Sequence, residues 1–169
     1  VHHEVPWKFD ENRKNNFLNR DKYVNAYHTY TKETKLLINS LSDKPVHIIP
    51  HWVNSEIWYE EKKSTSRKKL GLNSDKFIIG SFQRDTEGSD LSSPKLEKGP
   101  DIFLKAVLQI SKKRDVSVLL GGWRRQYVIN GLKKMGIPFN YIEMADQKTM
   151  NLMYNACDLY VVGSRCEGG

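Results

Sequence analysis

Apolar positions along the chain fall into two regimes. From Phe77 onward, short apolar runs alternate with stretches of helical spacing: FIIGSFQR (77–84), a helix over 100–113, VSVLLGG (116–122), a helix over 124–135, FNYIEM (139–144), a helix over 147–157 and LYVVGSR (159–165). The order β-α-β-α-β-α-β predicts an α/β fold with a Rossmann-like parallel sheet and right-handed crossovers. Pro100 stands where a missing N–H costs nothing, and Ile102, Phe103, Ala106, Val107 and Ile110 give its helix one apolar face. Gly136 and Pro138 stop the second helix, and Asp146 caps the third. The strands carry charge only at their ends, as expected when helices cover both faces of a sheet.

Before Phe77 the pattern is irregular. Residues 1–20 show neither period and read as a loop. Tyr23, Val24, Ala26 and Tyr27 make a strand candidate, after which Thr31 caps a helix with Leu36, Leu37 and Leu41 as its apolar face. Ser42-Asp43-Lys44-Pro45 ends it, Val46–Pro50 is a second strand candidate, and a basic helix over 64–70 stops at Gly71. A domain boundary is expected near 43–46, dividing the chain into 1–45 and 46–169. Val1 in place of Met and a final Glu-Gly-Gly in a loop make the chain read as an excerpt, with no secretory leader at its start.

Composition narrows the class. The chain has 169 residues, 38% of them hydrophobic, enough for a core and too many for a disordered chain. No apolar run is long enough to span a bilayer. Cys157 and Cys166 form neither a disulfide framework nor a zinc-site spacing, so the expectation is a reducing, cytoplasmic setting without structural metal. Lys and Arg exceed Asp and Glu by 27 to 20, a net charge of +7. Lys62, Lys63, Arg67, Lys68 and Lys69 form a basic stripe beside Trp58 and Tyr59. Such a stripe serves nucleic acid, an anionic lipid surface at the periphery of a membrane, or nothing beyond solvation. Nucleic acid is disfavoured, because no recognition motif accompanies the charge.

In an open parallel sheet, ligands bind outside the carboxyl ends of the strands, beside helix N-termini that attract anions. The first of these strands ends in Gln83-Arg84, and its helix opens after Lys98-Gly99. Arg84 offers a planar fork and Lys98 a point charge, which with the helix dipole suit a diphosphate. The same pair reads equally as solvated charge in a surface loop. Gly121-Gly122 could let backbone approach a ligand or be a plain turn, and Glu167 in its glycine-rich loop could hold sugar hydroxyls or be an ordinary exposed carboxylate. Gly-x-Gly-x-x-Gly is absent after the first strand and no P-loop occurs, which disfavours dinucleotide binding.

These segments, in order, resemble those of retaining GT-B glycosyltransferases, and the chain looks like a member of glycosyltransferase family 4. VHIIPHWVNSEIW (46–58) is similar to the family's "v-I-P-N-G-V-D-x-x-x-F", IIGSFQR (78–84) with KGPDIFLKA (98–106) to "v-G-R … K-G-x-x-x-L-i-x-A", VSVLLGG (116–122) to "L-x-i-v-G-x-G", and MYNACDLYVVGSRCEGG (153–169) to "y-x-x-A-D-v-x-v-x-P-S-x-x-E-G-f-G". The resemblance implies a truncated C-terminal donor-binding half of a GT-B fold with a remnant of the N-terminal domain. It implies sugar transfer from a UDP-, GDP- or other nucleotide-diphosphate donor to a glycan, lipid or protein acceptor, with retention and without metal or other cofactor.

Residue by residue, the resemblance assigns the diphosphate to Arg84 and Lys98 with Gly99. It assigns close backbone approach to Gly121 and Gly122, and the base to the backbone of Ile142 to Met144. Ser164 belongs to the same motif as Glu167, which would orient the donor sugar beside the N–H groups of Gly168 and Gly169. The partner of Glu167, which holds the ribose, would follow Gly169. His2 or His3, with His3 preferred, would supply the imidazole that approaches the donor sugar. A non-catalytic sugar-nucleotide-binding protein would keep the same features. Two departures stand out: the 13 residues DTEGSDLSSPKLE (85–97) between Arg84 and Lys98, read as a lid or an acceptor contact, and Trp52, read as packing at the linker.

Overall fold

The computed structural model describes residues 10–165, which form two compact units dividing after Val53. In the first, helix α1 (Glu11–Asp21) occupies part of the stretch that lacks periodicity in the sequence. Asp10 caps it by accepting from the Arg13 N–H, and only Phe17 is buried, stacked on Tyr27 at 5.4 Å. A single anchoring aromatic leaves no helical repeat to read. Strand β1 (Tyr27–Thr29) begins where the strand candidate ends. Thr31 caps α2 (Lys32–Asn39) as expected, but the buried positions of the helix are Thr34 and Ile38, and Leu36 faces solvent. Strand β2 (Val46–Ile48) pairs with β1 in parallel, so it belongs to the first unit, and the division falls beyond the expected 43–46. Trp52 is 80% exposed and does not pack as a linker residue.

The second unit carries the regular pattern. Strands β3 (Phe77–Ser81), β4 (Val116–Gly121), β5 (Phe139–Ile142) and β6 (Leu159–Tyr160) form one all-parallel sheet in the order β5-β4-β3-β6. Helices α4 (Pro100–Ser111) and α5 (Gln126–Lys134) pack against each other, and α6 (Gln147–Ala156) packs against α3 (Lys63–Lys69). Every residue of β4 is buried, as its chargeless run predicts. Ile79, Val118 and Leu120 join Phe103, Val107, Val128 and Leu132 in one core cluster, while Ile78 and Leu119 join Met153 and Ala156 in another. The alternation along β3 and β4 thus feeds two layers. Strand β6 is shorter than its apolar run: the Val161 N–H still donates to the Gly80 carbonyl, and residues 162–165 leave the ladder.

Candidate functional site

From β3 the chain winds to β4 and β5 on one side and returns to β6 on the other, so the strand order reverses between β3 and β6. Loops leaving the carboxyl ends of two such neighbours diverge and open a crevice, the usual ligand position in this architecture. Three segments meet there: 82–85 after β3, the 3-10 turn Leu96–Lys98 with Gly99, and 161–165 after β6.

Gly99 links the turn to α4 with φ +60°, a left-handed conformation that glycine adopts without steric penalty, and Pro100 follows in the first helical turn. A Cβ on Gly99 would overlap the Gly163 carbonyl, and one on Gly163 would lie 2.6 Å from the Gly99 carbonyl oxygen. The two backbones are in direct contact. The Ser164 hydroxyl donates to Gln83 Oε1 at 3.2 Å, tying the β6 loop to the β3 loop. The structure therefore brings Gly99 and Ser164 to one place, with Lys98 half-buried beside Gly99 and Arg84 exposed after Gln83. Asp101 in the first turn of α4 receives a bidentate pair from Arg165, which holds its carboxyl well down, at about 2.

Gly121 and Gly122 end β4 in close packing. A Cβ on Gly121 would meet Met153 Cε at 2.7 Å and the Phe82 ring at 3.0 Å, so the missing side chain there is taken up by neighbours. Gly122 has φ +87°, and a Cβ on it would stand 3.0 Å from the Phe82 carbonyl oxygen. The Tyr141 hydroxyl donates to the Gly122 carbonyl at 3.0 Å, joining the ends of β4 and β5; burial pushes this phenol up to about 12. Ile142 is half-buried and Met144 82% exposed. Expectations on His2, His3, Glu167, Gly168 and Gly169 lie outside the described residues.

Two networks escape the sequence reading. Arg125, 1% exposed, donates to the Ser81 carbonyl (2.9 Å), the Gly121 carbonyl (3.1 Å), Ser81 Oγ (2.9 Å) and Asp85 Oδ2 (3.3 Å). Asp85 also accepts from the Val128 N–H at 3.1 Å. Burial nevertheless raises its carboxyl against the pull of Arg125. The pair ties the ends of β3 and β4 to the start of α5. Next to it in sequence, the Arg124 guanidinium lies 4.1 Å from the centre of the Trp123 ring, with Arg124 at φ +59°.

The second network absorbs much of the basic stripe. Arg67, 6% exposed, donates to the Ala156 and Ser74 carbonyls and pairs with Asp158, which also takes Lys63 at 2.7 Å. Lys69 pairs with Glu61 at 2.6 Å, leaving Lys62 and Lys68 as the unpaired cations of the run among the described residues.

The base of the 85–97 insertion is fixed. Thr86 bridges to Pro94, the Glu87 N–H donates to Ser93 O and the Lys95 N–H to Asp85 O. Asp90 holds the tip by accepting from the N–H groups of Ser92 and Ser93. Among the described residues no group of three or more His, Cys, Asp or Glu could hold a metal ion, and no helix is long and apolar enough to cross a membrane.

The fold, α/β with parallel, Rossmann-like sheets, matches part of the GT-B glycosyltransferase fold. It is similar to sucrose-phosphate synthase of Thermosynechococcus elongatus, with a TM-score of 0.73 at 17% identity, over 98% of this chain and 41% of that one. It is likewise similar to HepE of Anabaena, solved with UDP and glucose, with a TM-score of 0.74 at 15% identity over 99% of this chain and 46% of that one. TarM matches with a TM-score of 0.63 at 15% identity, over 99% of this chain and 31% of its own. The chain thus spans less than half the length of these structures. No protein-family model matches the sequence, and no curated protein does.

Proposed function

We propose that this chain is the nucleotide-sugar-binding part of a retaining, metal-independent glycosyltransferase acting on a glycan, lipid or protein acceptor. The observation that carries the reading is the strand-order reversal between β3 and β6 beside the N-terminal turn of α4. Motif residues of three separate segments, Gln83-Arg84, Lys98-Gly99 and Ser164, lie on the loops that frame it. In this reading Arg84 and Lys98 neutralise the diphosphate as it becomes the leaving group, the work a divalent cation does elsewhere. Glu167 is the carboxylate assigned to the donor sugar, with the N–H groups of Gly168 and Gly169, and His3 is the imidazole assigned to the same chemistry. Gly122, backed by Gly121, and the backbone of Ile142 to Met144 receive the nucleoside. HepE, which shares the fold, was solved with UDP, so UDP is the first donor nucleotide to try.

The test is a titration with UDP, GDP and a mixed-sequence RNA in EDTA at physiological salt, beside an Arg84→Ala/Lys98→Ala variant. Saturable binding of one nucleoside diphosphate that survives EDTA and is lost in the variant is expected. Binding to RNA alone, steeply dependent on salt and indifferent to the variant, would sink the proposal.

A further inference from the structure

One side chain fastens the loop leaving β6 to the start of α4. Arg165 donates through its backbone N–H to the Glu97 carbonyl (2.8 Å), through Nη1 to the Leu96 carbonyl (2.6 Å) and Asp101 Oδ1 (2.8 Å), and through Nη2 to Asp101 Oδ2 (2.7 Å). Leu96 and Glu97 open the turn that ends in Lys98-Gly99, and Asp101 lies just beyond it. A single guanidinium therefore holds both flanks of Lys98-Gly99. The contact between Gly99 and Gly163 makes the turn and the β6 loop abut directly, so a shift of one displaces the other.

The chemistry of this clamp is that of placement. The side chains of Arg165 and Asp101 are 43% and 21% exposed, a setting in which an ion pair adds little to stability. The planar fork reaches two carboxylate oxygens and a backbone carbonyl at fixed angles, which an ammonium group cannot reproduce. Arg165 also stands two positions before Glu167 in sequence.

We propose that Arg165 is a positioning residue for the donor site: it sets the Lys98-Gly99 turn against the β6 loop and so fixes where the groups that meet the diphosphate stand. The inference rests on the donor-site reading above. Arg165 touches no ligand in this scheme and acts through Lys98 and Gly99.

The experiment is calorimetric titration of the 169-residue chain with UDP, GDP, uridine and guanosine, on the wild type, Arg165→Ala, Arg165→Lys, Asp101→Asn and the Arg165→Ala/Asp101→Asn double variant, with thermal unfolding of each. Loss of the clamp is expected to weaken nucleoside diphosphate binding by roughly tenfold or more, the scale of a small misplacement of binding groups. Nucleoside affinity should change by less than about twofold, and the unfolding midpoint by no more than about 2 °C, because the pair is exposed. Arg165→Lys should fail to rescue, and the double variant should bind no worse than Arg165→Ala. Diphosphate binding unchanged in Arg165→Ala, or diphosphate and nucleoside affinity falling together with the unfolding midpoint, overturns the inference while the donor site stands. A wild type that binds neither diphosphate saturably overturns the donor-site reading and this inference with it.

Discussion

At the residue scale the most consequential side chain is Arg125. Its guanidinium is buried against Asp85, Ser81 and the Gly121 carbonyl, so Arg125→Ala removes the cation beside the Asp85 carboxylate, which keeps the Val128 N–H, and takes a donor from the Ser81 and Gly121 carbonyls. The expected cost is about 3–5 kcal/mol by urea unfolding, the range for breaking one side of a buried pair, whereas a matched apolar replacement of both partners is expected to cost far less. Neither residue announces itself in the sequence. Asp85 follows a strand and Arg125 precedes a helix, positions where charge usually meets water, and only the meeting of the two ends buries them. Burial pushes the Cys157 thiol up to about 12. In a Cys166→Ser background, Cys157 should therefore react with iodoacetamide at pH 8 far more slowly in the folded chain than in urea. Asp101 supplies a pH signature. Its folded pKa, about 2, lies below the ordinary 3.8, so the unfolded chain binds more protons between these values. The stability it adds is complete above about pH 4 and fades as the pH falls toward 2. Unfolding midpoints of the wild type and Arg165→Ala should converge at the acid end of that window and differ by no more than about 2 °C above it.

At the scale of elements, two glycines with the same backbone conformation should behave differently. Gly71 (φ +64°) has open space where a Cβ would stand, whereas a Cβ on Gly99 (φ +60°) meets Gly163 backbone. Gly71→Ala is expected to cost about 1–2 kcal/mol, the penalty of left-handed backbone alone, and Gly99→Ala clearly more, with loss of nucleoside diphosphate binding. Urea unfolding and the titration above check both. Both glycines could be seen in the sequence as helix punctuation, but which of them touches another loop could not. The insertion at 85–97 is similar: its length marks it, while the hydrogen bonds that tie its base and the Asp90 turn at its exposed tip appear only in the folded chain. Limited proteolysis within the insertion should cut between Gly88 and Ser93 and leave the base intact.

For the molecule as a whole, charge is a poor guide to partners. The net +7 includes a basic helix in which Arg67 is buried and Lys63 and Lys69 pair with carboxylates. Lys62→Glu/Lys68→Glu should accordingly leave nucleoside diphosphate affinity within about twofold of the wild type, since these charges are exposed and screened at physiological salt. The second unit forms its sheet from 77–160, while the division after Val53 depends on β2 finding β1.

The regular part of the fold was written in local periodicity. Apolar strands, amphipathic helices, their Pro and Gly stops and the Asp146 cap determined β3 to β5 and α4 to α6 within a few residues and the start of β6, because each such element is fixed by its own neighbours in sequence. The order of the strands also set which loops share one side of the sheet, since parallel strands put their carboxyl ends together. Tertiary structure alone decided the rest. Helix α1 forms around one buried aromatic, Leu36 yields the core to Ile38, and Asp85 and Arg125 are brought together at the ends of β3 and β4. The clamp of Arg165 on Asp101 likewise joins positions far apart in sequence. Such pairings depend on which chain ends the sheet order makes adjacent, and no local pattern of polar and apolar residues encodes that adjacency.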